Sequence, residues 1–247
     1  MKGELIFGVN PVKESLQGTR GAFNLYVQVS ATDHRVEKII RLAEERGIAV
    51  HRRDKVDLTK MCASSHHQGI ALEVEPFRYA DFDDLLATIS HSGSPGYILV
   101  LDAIQDPHNL GALIRSAACA GVNGVIIPKD RACGITAAAE KTSAGAVETV
   151  PVAMVTNIAH TLEALKKSGY WVYGLHGAAR QSVYATDFSG NVVLVVGGEG
   201  EGIRPLVRKQ CDVVMSIPQY GGVSSLNASV AGGIALFEIA RKVQPVA

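Results

Sequence analysis

The sequence is poor in the cysteine patterns that mark secreted domains and zinc proteins. Its 247 residues include four cysteines, scattered along the chain at Cys62, Cys119, Cys133 and Cys211. No two of them have the CxxC spacing of a zinc site, so neither a disulfide framework nor a metal site is expected. We therefore predict a protein without metal in the reducing environment of the cytoplasm.

The sequence also lacks a long hydrophobic run and an excess of charge of either sign. Its longest apolar stretches have the length of strands, and residues 1–4 do not begin a signal peptide. The 24 basic residues balance the 24 acidic residues, so the formal net charge is zero. A neutral chain is not held on nucleic acid by bulk charge, and any contact with RNA must come from local basic patches.

Alternating helical and strand patterns are what the sequence has instead. In the first part we predict strands at residues 5–7, 25–29, 48–51 and 70–74, helices at 12–16 and 35–46, and a turn at Asn10-Pro11. In the second part we predict strands at 97–101, 122–127, 149–152, 171–174, 192–196 and 213–217, and a last helix at 227–243. The predicted fold class is α/β, with a mainly parallel sheet in the second part.

A change in composition near residues 75–80 predicts a domain boundary. We place a small α/β domain at residues 1–76, a linker with a connecting helix at 77–95, and a larger α/β domain at 96–247.

Three clusters of polar residues and glycines follow predicted strands, where ligands bind in open α/β sheets. The first follows the strand at 97–101 and contains Asp106, Asn109 and Arg115. Asp106 or Asn109 suits a helix cap, and Arg115 suits a surface charge. An arginine in a helix of small residues also suits a phosphate or carboxylate partner, so both interpretations stay open.

The second cluster is the glycine-rich run Gly197-Gly198-Glu199-Gly200-Glu201-Gly202. Its glycines would let the backbone approach a ligand closely. The spacing is not the GxGxxG fingerprint of dinucleotide sites, and Glu199 would repel a pyrophosphate. An acidic side chain there suits a hydroxyl or a cation better, and the alternative is a plain turn with Glu199 in solvent.

The third cluster, Ser225, Asn227 and Ser229, stands before or at the start of the last predicted helix. Serine and asparagine are favoured helix caps, so capping is one interpretation. Three such residues behind Gly221 and Gly222 also indicate a binding loop.

Together the three clusters resemble, in order and spacing, the three motifs of the SpoU branch of the SPOUT superfamily of RNA 2′-O-ribose methyltransferases. The resemblance is carried by Asp106-Pro107-His108-Asn109-Leu110-Gly111 with Arg115, by Gly197 to Gly202, and by Ser225-Leu226-Asn227-Ala228-Ser229. Over the whole chain it is strongest to the bacterial 23S ribosomal RNA guanosine-2′-O-methyltransferases. His67-Gln68-Gly69-Ile70 matches a recurring feature of their N-terminal half, whereas Gly8-Val9-Asn10-Pro11-Val12 matches only loosely.

The resemblance implies a C-terminal SPOUT domain with a deep trefoil knot, preceded by a small ribosomal-protein-like RNA-binding domain. It implies S-adenosylmethionine as methyl donor, ribosomal RNA as substrate and an obligatory homodimer with a shared active site. The catalytic positions would be Arg115, Asn109, Glu199, Ser225 and Asn227. The donor would be held by Gly197, Gly198, Gly202, Ile217, Leu226 and Ser225.

The implied chemistry sets limits on Arg115. A ribose hydroxyl is a poor nucleophile until its proton is accepted, whereas a methyl group on a sulfonium needs no acid to leave. Arg115 would assist the base or, because a guanidinium stays protonated at neutral pH, stabilise the developing alkoxide and position the target phosphate.

Further candidates for RNA contact are basic residues outside the three clusters. They are Arg52, Arg53, His67, Lys129, Arg131 and Lys141, with Lys55 and His66. Each has a second interpretation as a solvated surface side chain.

Three other functions stay open. A dinucleotide-dependent enzyme would need an acidic ribose ligand about 20 residues beyond the glycine-rich run, and Asp212 is the nearest candidate. A non-catalytic RNA-binding protein would have no need of all four polar residues Asn109, Arg115, Glu199 and Asn227. The same chemistry on transfer RNA changes only the substrate, and the N-terminal domain favours ribosomal RNA.

Overall fold

The computed structural model describes residues 3–18, 20–29, 33–200, 202–222 and 225–243. The chain divides into two compact units. The first consists of Met1–Arg78 with Ile135–Thr149, and the second of Tyr79–Gly134 with Val150–Ala247. This division differs from the predicted one, because a segment from the predicted larger domain belongs to the first unit.

The first unit is a four-stranded sheet with helices. Its elements are β1 (Glu4–Phe7), α1 (Val9–Gln17), β2 (Ala22–Gln28), α2 (His34–Glu45), β3 (Ala49–Arg53), α3 (Lys55–Cys62) and β4 (Ile70–Val74). The sheet order is β1-β4-β2-β3, with β2 and β3 parallel and the β4 pairings antiparallel. Apolar side chains from α1, α2 and the strands form its core.

One local prediction in this unit is wrong, and one helix was not predicted. Asn10 and Pro11, predicted as a turn, lie inside α1, because proline is tolerated in the first turn of a helix, where its missing N–H has no partner. Helix α3 was not predicted, since only Leu58 and Cys62 of its residues are buried and its apolar pattern is short.

The segment that returns to the first unit contains α6 (Ala137–Ser143) and a 3₁₀ turn (Ala146–Glu148). The guanidinium of Arg20 contacts Glu140 at 2.6 Å and Glu148 at 3.3 Å, and it also pairs with Glu4. Burial raises the pKa of Glu140 to about 7, against the opposing effect of Arg20. Because these partners lie far apart in sequence, no local pattern predicts the return.

The second unit is built on a seven-stranded sheet in which every pairing is parallel. Its strands are β5 (Tyr97–Asp102), β6 (Gly124–Pro128), β7 (Val152–Val155), β8 (Tyr170–Leu175), β9 (Gln181–Ser182), β10 (Asn191–Gly197) and β11 (Val213–Ser216). Its helices are α4 (Phe82–His91), α5 (Pro107–Cys119), α7 (Ile158–Lys167), α8 (Pro205–Arg208) and α9 (Ala228–Val243). The sheet order is β7-β6-β5-β10-β8-β11-β9, so β10 lies centrally.

The parallel α/β prediction is confirmed for this unit, with one strand displaced. The strand predicted at residues 149–152 lies at β7, because the residues before it form the 3₁₀ turn that packs in the first unit. Strand β9 has two residues and was not predicted. Among the described residues, none of the helices is both long enough and apolar enough to cross a bilayer.

Candidate ligand site at the carboxyl ends of the parallel strands

A pocket of about 640 Å³ opens in the second unit, where β8, β10 and β11 end. Its wall is made of the residues that follow these strands and of the start of α9: Leu175, His176, Gly177, Ala178, Val196, Gly197, Gly198, Glu199, Gly200, Gly202, Ile217, Gln219, Ser225, Leu226, Asn227, Ala228 and Ala231. The volume and the mixture of apolar walls with a few polar side chains are typical of small-molecule sites.

The pocket brings together residues that the sequence analysis took from two separate clusters. All six predicted donor-binding residues lie in its wall: Gly197, Gly198, Gly202, Ile217, Leu226 and Ser225. The wall after β8 was not predicted, and it includes His176 and Ala178. These residues follow the carboxyl end of a predicted strand, so the rule used for the other clusters could have found them.

Asn109 connects the three clusters through its side-chain amide. Its Nδ2 donates to a carboxylate oxygen of Glu199, and its Oδ1 accepts from Nδ2 of Asn227 at 3.0 Å. Asn109 is buried near the start of α5, whereas Glu199 and Asn227 line the pocket. Because both ends of the amide are engaged, its orientation is fixed and it holds the Glu199 carboxylate at the pocket wall.

The two helix-capping interpretations are correct and compatible with the site. Asp106 caps α5 by accepting from the backbone N–H of His108 at 2.9 Å. Asn227 Oδ1 accepts from the N–H groups of Ser229 and Val230 at the start of α9, and from the Ser229 hydroxyl at 2.6 Å. Asn227 therefore caps a helix with its oxygen and reaches Asn109 with its nitrogen.

Asp102 and Arg204 form an ion pair that the sequence patterns did not predict, with the carboxylate buried and the guanidinium partly exposed. Asp102 ends β5 and is 0 % exposed, and its carboxylate accepts from the backbone N–H of Arg204 at 2.8 Å and from Nε at 2.7 Å. Its backbone carbonyl accepts from the N–H of Gly198 at 2.9 Å. Asp102 thus holds both ends of the loop that carries Glu199.

The glycines of this loop are required by close contacts within the protein. A Cβ atom on Gly197 would overlap the backbone of Gly202 and Ile203, and one on Gly198 would overlap the carbonyl oxygen of Ala103. Gly202 has a φ of +68°, which favours glycine. The glycine-rich run therefore folds back on itself and leaves Glu199 projecting from it.

Arg115 is not brought into the pocket of its own chain. It is exposed on α5, the helix that packs against α9, and it has no ion pair or hydrogen bond to any residue that the structure describes. Asn109 and Arg115 are six residues apart on this helix, which places them on different faces.

The predicted RNA contacts differ in their exposure. His67 is 1 % exposed, and its ring bonds to the N–H of Gly69 and to the Thr59 hydroxyl, so the prediction of a direct RNA contact is wrong for it. Burial, and then the charges of Lys55 and Lys141, lower the pKa of His67. The side chain of the neighbouring Gln68 accepts a hydrogen bond from the N–H of Val9. This bond joins the two N-terminal motifs, residues 8–12 and 67–70, in one structural contact.

The other basic candidates leave their charges near the surface. Arg52 and Arg53 are exposed at β3 in the first unit, and Arg53 lies over the Tyr26 ring. Lys141 donates to the carbonyl of His66, and it lies over the Phe7 ring. Lys129 and Arg131 are exposed beyond β6 in the second unit.

Comparisons with known proteins agree with this architecture. The SpoU rRNA Methylase family model matches residues 96–237, and the RNA 2′-O ribose methyltransferase substrate binding model matches residues 5–80. A Mycobacterium sp. (strain KMS) protein called an uncharacterized tRNA/rRNA methyltransferase is 45% identical over 97% of this chain and 76% of its own. The 23S rRNA (guanosine-2′-O-)-methyltransferase of Xylella fastidiosa (strain Temecula1) is 43% identical over 98% of this chain and 97% of its own.

A solved structure shares the fold. The AdoMet-bound rRNA methyltransferase from Sinorhizobium meliloti superposes with a TM-score of 0.80 over 99% of this chain and 89% of its own, at 24% identity.

The fold and the pocket define an α/β protein with a small-molecule site at the carboxyl ends of parallel strands. Because both family models and the Xylella relative match, the chain belongs to the SpoU rRNA methylase family of RNA 2′-O-ribose methyltransferases. Within the part of the chain that the structure describes, no group of three His, Cys, Asp or Glu side chains is placed to hold a metal ion.

Proposed function

We propose that this protein transfers a methyl group from S-adenosylmethionine to the ribose 2′-hydroxyl of a guanosine in 23S ribosomal RNA. The observation that carries the proposal is that two of the three distant motifs line one pocket, and that Asn109 of the third motif is bonded to Glu199 and Asn227 in its wall. The Xylella relative, named for this reaction and similar over nearly its whole length, supports the choice of substrate.

The pocket suits the methyl donor. Leu175, Val196 and Leu226 offer apolar surface for a purine ring, and exposed loop backbone together with Ser225 offers hydrogen bonds for a ribose. When bound, the donor would supply a methyl group on a sulfonium, whose sulfur would leave as a neutral thioether without protonation. The protein must therefore hold the two reactants in line and favour loss of the hydroxyl proton.

Each predicted catalytic residue has a role that fits its place. The fixed Glu199 carboxylate accepts a hydrogen bond from the target ribose, and Asn109 keeps it oriented. Ser225 and Asn227 shape the rim of the pocket. Arg115 carries a permanent positive charge, which positions the RNA phosphate and stabilises the developing alkoxide.

Arg115 acts in this scheme on the site of a second subunit in a homodimer. Helix α9 presents Val230 and Phe237, 50% and 52% exposed, on one face at seven-residue spacing, and this face suits a second copy of the chain.

Mixing two inactive variants tests whether the active sites are shared between subunits. Dimers of Arg115→Ala and of Glu199→Gln are both inactive, whereas exchange between them restores about a quarter of wild-type activity if sites are shared. No restoration would place Arg115 in the site of its own subunit.

The trefoil knot is proposed for the same region. Strand β11 lies between β8 and β9, which are connected by the short segment 176–180. His176 and Ala178 of this connection border the same pocket as Ile217 and Gln219, which follow β11. That order of strands supports a threaded chain, against the usual rule for connections.

The first unit is proposed to bind the RNA and to be related to ribosomal proteins. The substrate-binding family match at residues 5–80 supports this role. The exposed side chains of Arg52 and Arg53 and the partly exposed side chain of Lys141 support it as well. Lys129 and Arg131 are proposed as RNA contacts of the second unit. We also propose a cytoplasmic location, because ribosomal RNA is the proposed substrate.

One experiment tests the reaction, the donor and the substrate together. Labelled S-adenosylmethionine is incubated with the protein and with protein-free 23S RNA, 16S RNA or bulk transfer RNA, and the product is mapped to a nucleotide. A single 2′-O-methylguanosine in 23S RNA is expected. Label in transfer RNA alone would show that transfer RNA is the substrate. The name of the mycobacterial relative, a tRNA/rRNA methyltransferase, includes this possibility. Absence of donor binding would refute the proposal.

A further inference from the structure

A second cavity in the larger unit, of about 450 Å³, is lined by basic side chains. We call it the basic cleft, and its wall consists of His176, Ala178, Ala179, Arg180, Arg208, Lys209 and Val214. It shares His176 and Ala178 with the donor pocket, so the two cavities have a common wall. No acidic side chain lines the cleft among the residues that the structure describes.

The positive charges of the basic cleft are not neutralised by neighbours. Elsewhere in the same unit, Lys166 pairs with Asp212 at 2.5 Å, and Arg204 pairs with Asp102. By contrast, Arg180 and Lys209 have no ion pair or hydrogen-bond partner from their side chains in the described part of the chain.

The third cation, Arg208, faces a ring instead of a carboxylate. Its guanidinium lies 3.1 Å from Nε2 of His176, and Nδ1 of the same ring accepts from the N–H of Ala178 at 3.2 Å. A ring whose Nδ1 accepts carries its hydrogen on Nε2, so it accepts no hydrogen bond from Arg208 and leaves the charge of Arg208 uncompensated. Three positive charges therefore surround one cavity.

We propose that the basic cleft binds the phosphodiester backbone of the RNA beside the target ribose. This inference rests on the proposed function. A ribose whose 2′-hydroxyl enters the donor pocket brings its flanking phosphates to the rim of that pocket, where the cleft begins. The chain has no net charge, so backbone affinity must come from local clusters of this kind.

The test uses Arg180→Gln with Lys209→Gln in the full-length protein, which leaves the contact between Arg208 and His176 in place. Lys167→Gln is the matched control, because Lys167 is also an exposed lysine of the second unit without an ion-pair partner among the described residues. The measurements are direct binding of a 23S transcript at several salt concentrations, the KM for that transcript, and the Kd for S-adenosylmethionine.

For the double variant we expect weaker transcript binding and a higher KM, on the order of tenfold, with a salt slope that is smaller by about one per lost contact. The Kd for the donor and kcat at saturating RNA stay within about twofold, since neither residue contacts the proposed reacting groups. The control behaves like the wild type.

Two results would overturn the proposal. Unchanged RNA affinity and salt slope would show that the cleft does not bind the backbone. A raised Kd for the donor with unchanged RNA binding would assign the cleft to the carboxylate of the donor. Because RNA binding is measured directly, failure of the wild type to methylate any RNA would refute the proposed function separately.

Discussion

Replacement of Asp102 by alanine is expected to destabilise the protein and to weaken donor binding together. The buried carboxylate accepts two hydrogen bonds from Arg204, one from its backbone N–H and one from Nε, and it forms an ion pair with the guanidinium. Breaking a buried ion pair costs about 3–5 kcal/mol, because the remaining charge is left unpaired. The Arg204 side chain is 30% exposed and regains some hydration, so we expect a loss of about 2–4 kcal/mol in the free energy of unfolding.

Asp102→Asn separates the charge of this residue from its shape. An asparagine oxygen still accepts from the Arg204 N–H, so the expected loss falls to about 1–2 kcal/mol and donor affinity partly recovers. Urea unfolding gives the stability, and calorimetry gives the Kd for S-adenosylmethionine. Asp81→Ala is the control, because Asp81 caps α4 with its carboxylate, and about 1 kcal/mol is expected with donor affinity unchanged.

The reasoning would be refuted by an Asp102→Ala variant that unfolds at the wild-type urea concentration and binds the donor normally. It would also be refuted if Asp102→Asn and Asp102→Ala lowered stability equally while neither changed donor affinity. In that case the carboxylate would not hold the loop that carries Glu199.

Three further predictions concern other parts of the molecule. Because the folded pKa of Glu140 is raised from 4.5 to about 7, the folded protein retains a proton that the unfolded chain releases. The free energy of unfolding should therefore fall between about pH 5 and pH 7, by on the order of 2 kcal/mol, and Glu140→Gln should flatten this dependence in urea titrations at each pH. Arg115→Ala should lower turnover by about 100-fold or more while donor affinity and thermal stability stay unchanged, because the side chain is exposed; equal loss of donor binding would give it a structural role. Phe237→Glu should convert the proposed dimer to monomers in sedimentation velocity runs, whereas Leu206→Glu, at an exposed position off α9, should not; a dimeric Phe237→Glu would contradict the proposed interface.

The sequence patterns predicted most of the parallel sheet, because buried strands such as β5 and β10 are continuous apolar runs between turn residues. The same patterns located the polar clusters at the ends of these strands, and their order and spacing were sufficient to suggest the family. The patterns failed where the local signal was short, as in α3 and the two-residue β9.

The sequence by itself determined the periodicities, the presence of capping residues before α5 and α9, and the identity of the polar residues that follow the strands. Only the tertiary structure decided which of them meet. Asn109 reaches Glu199 and Asn227, while Arg115 on the same helix does not enter the pocket. The same holds for Asp102 with Arg204, and for Arg20 with Glu140, because contacts between distant residues depend on how the elements pack, and no local periodicity records that packing.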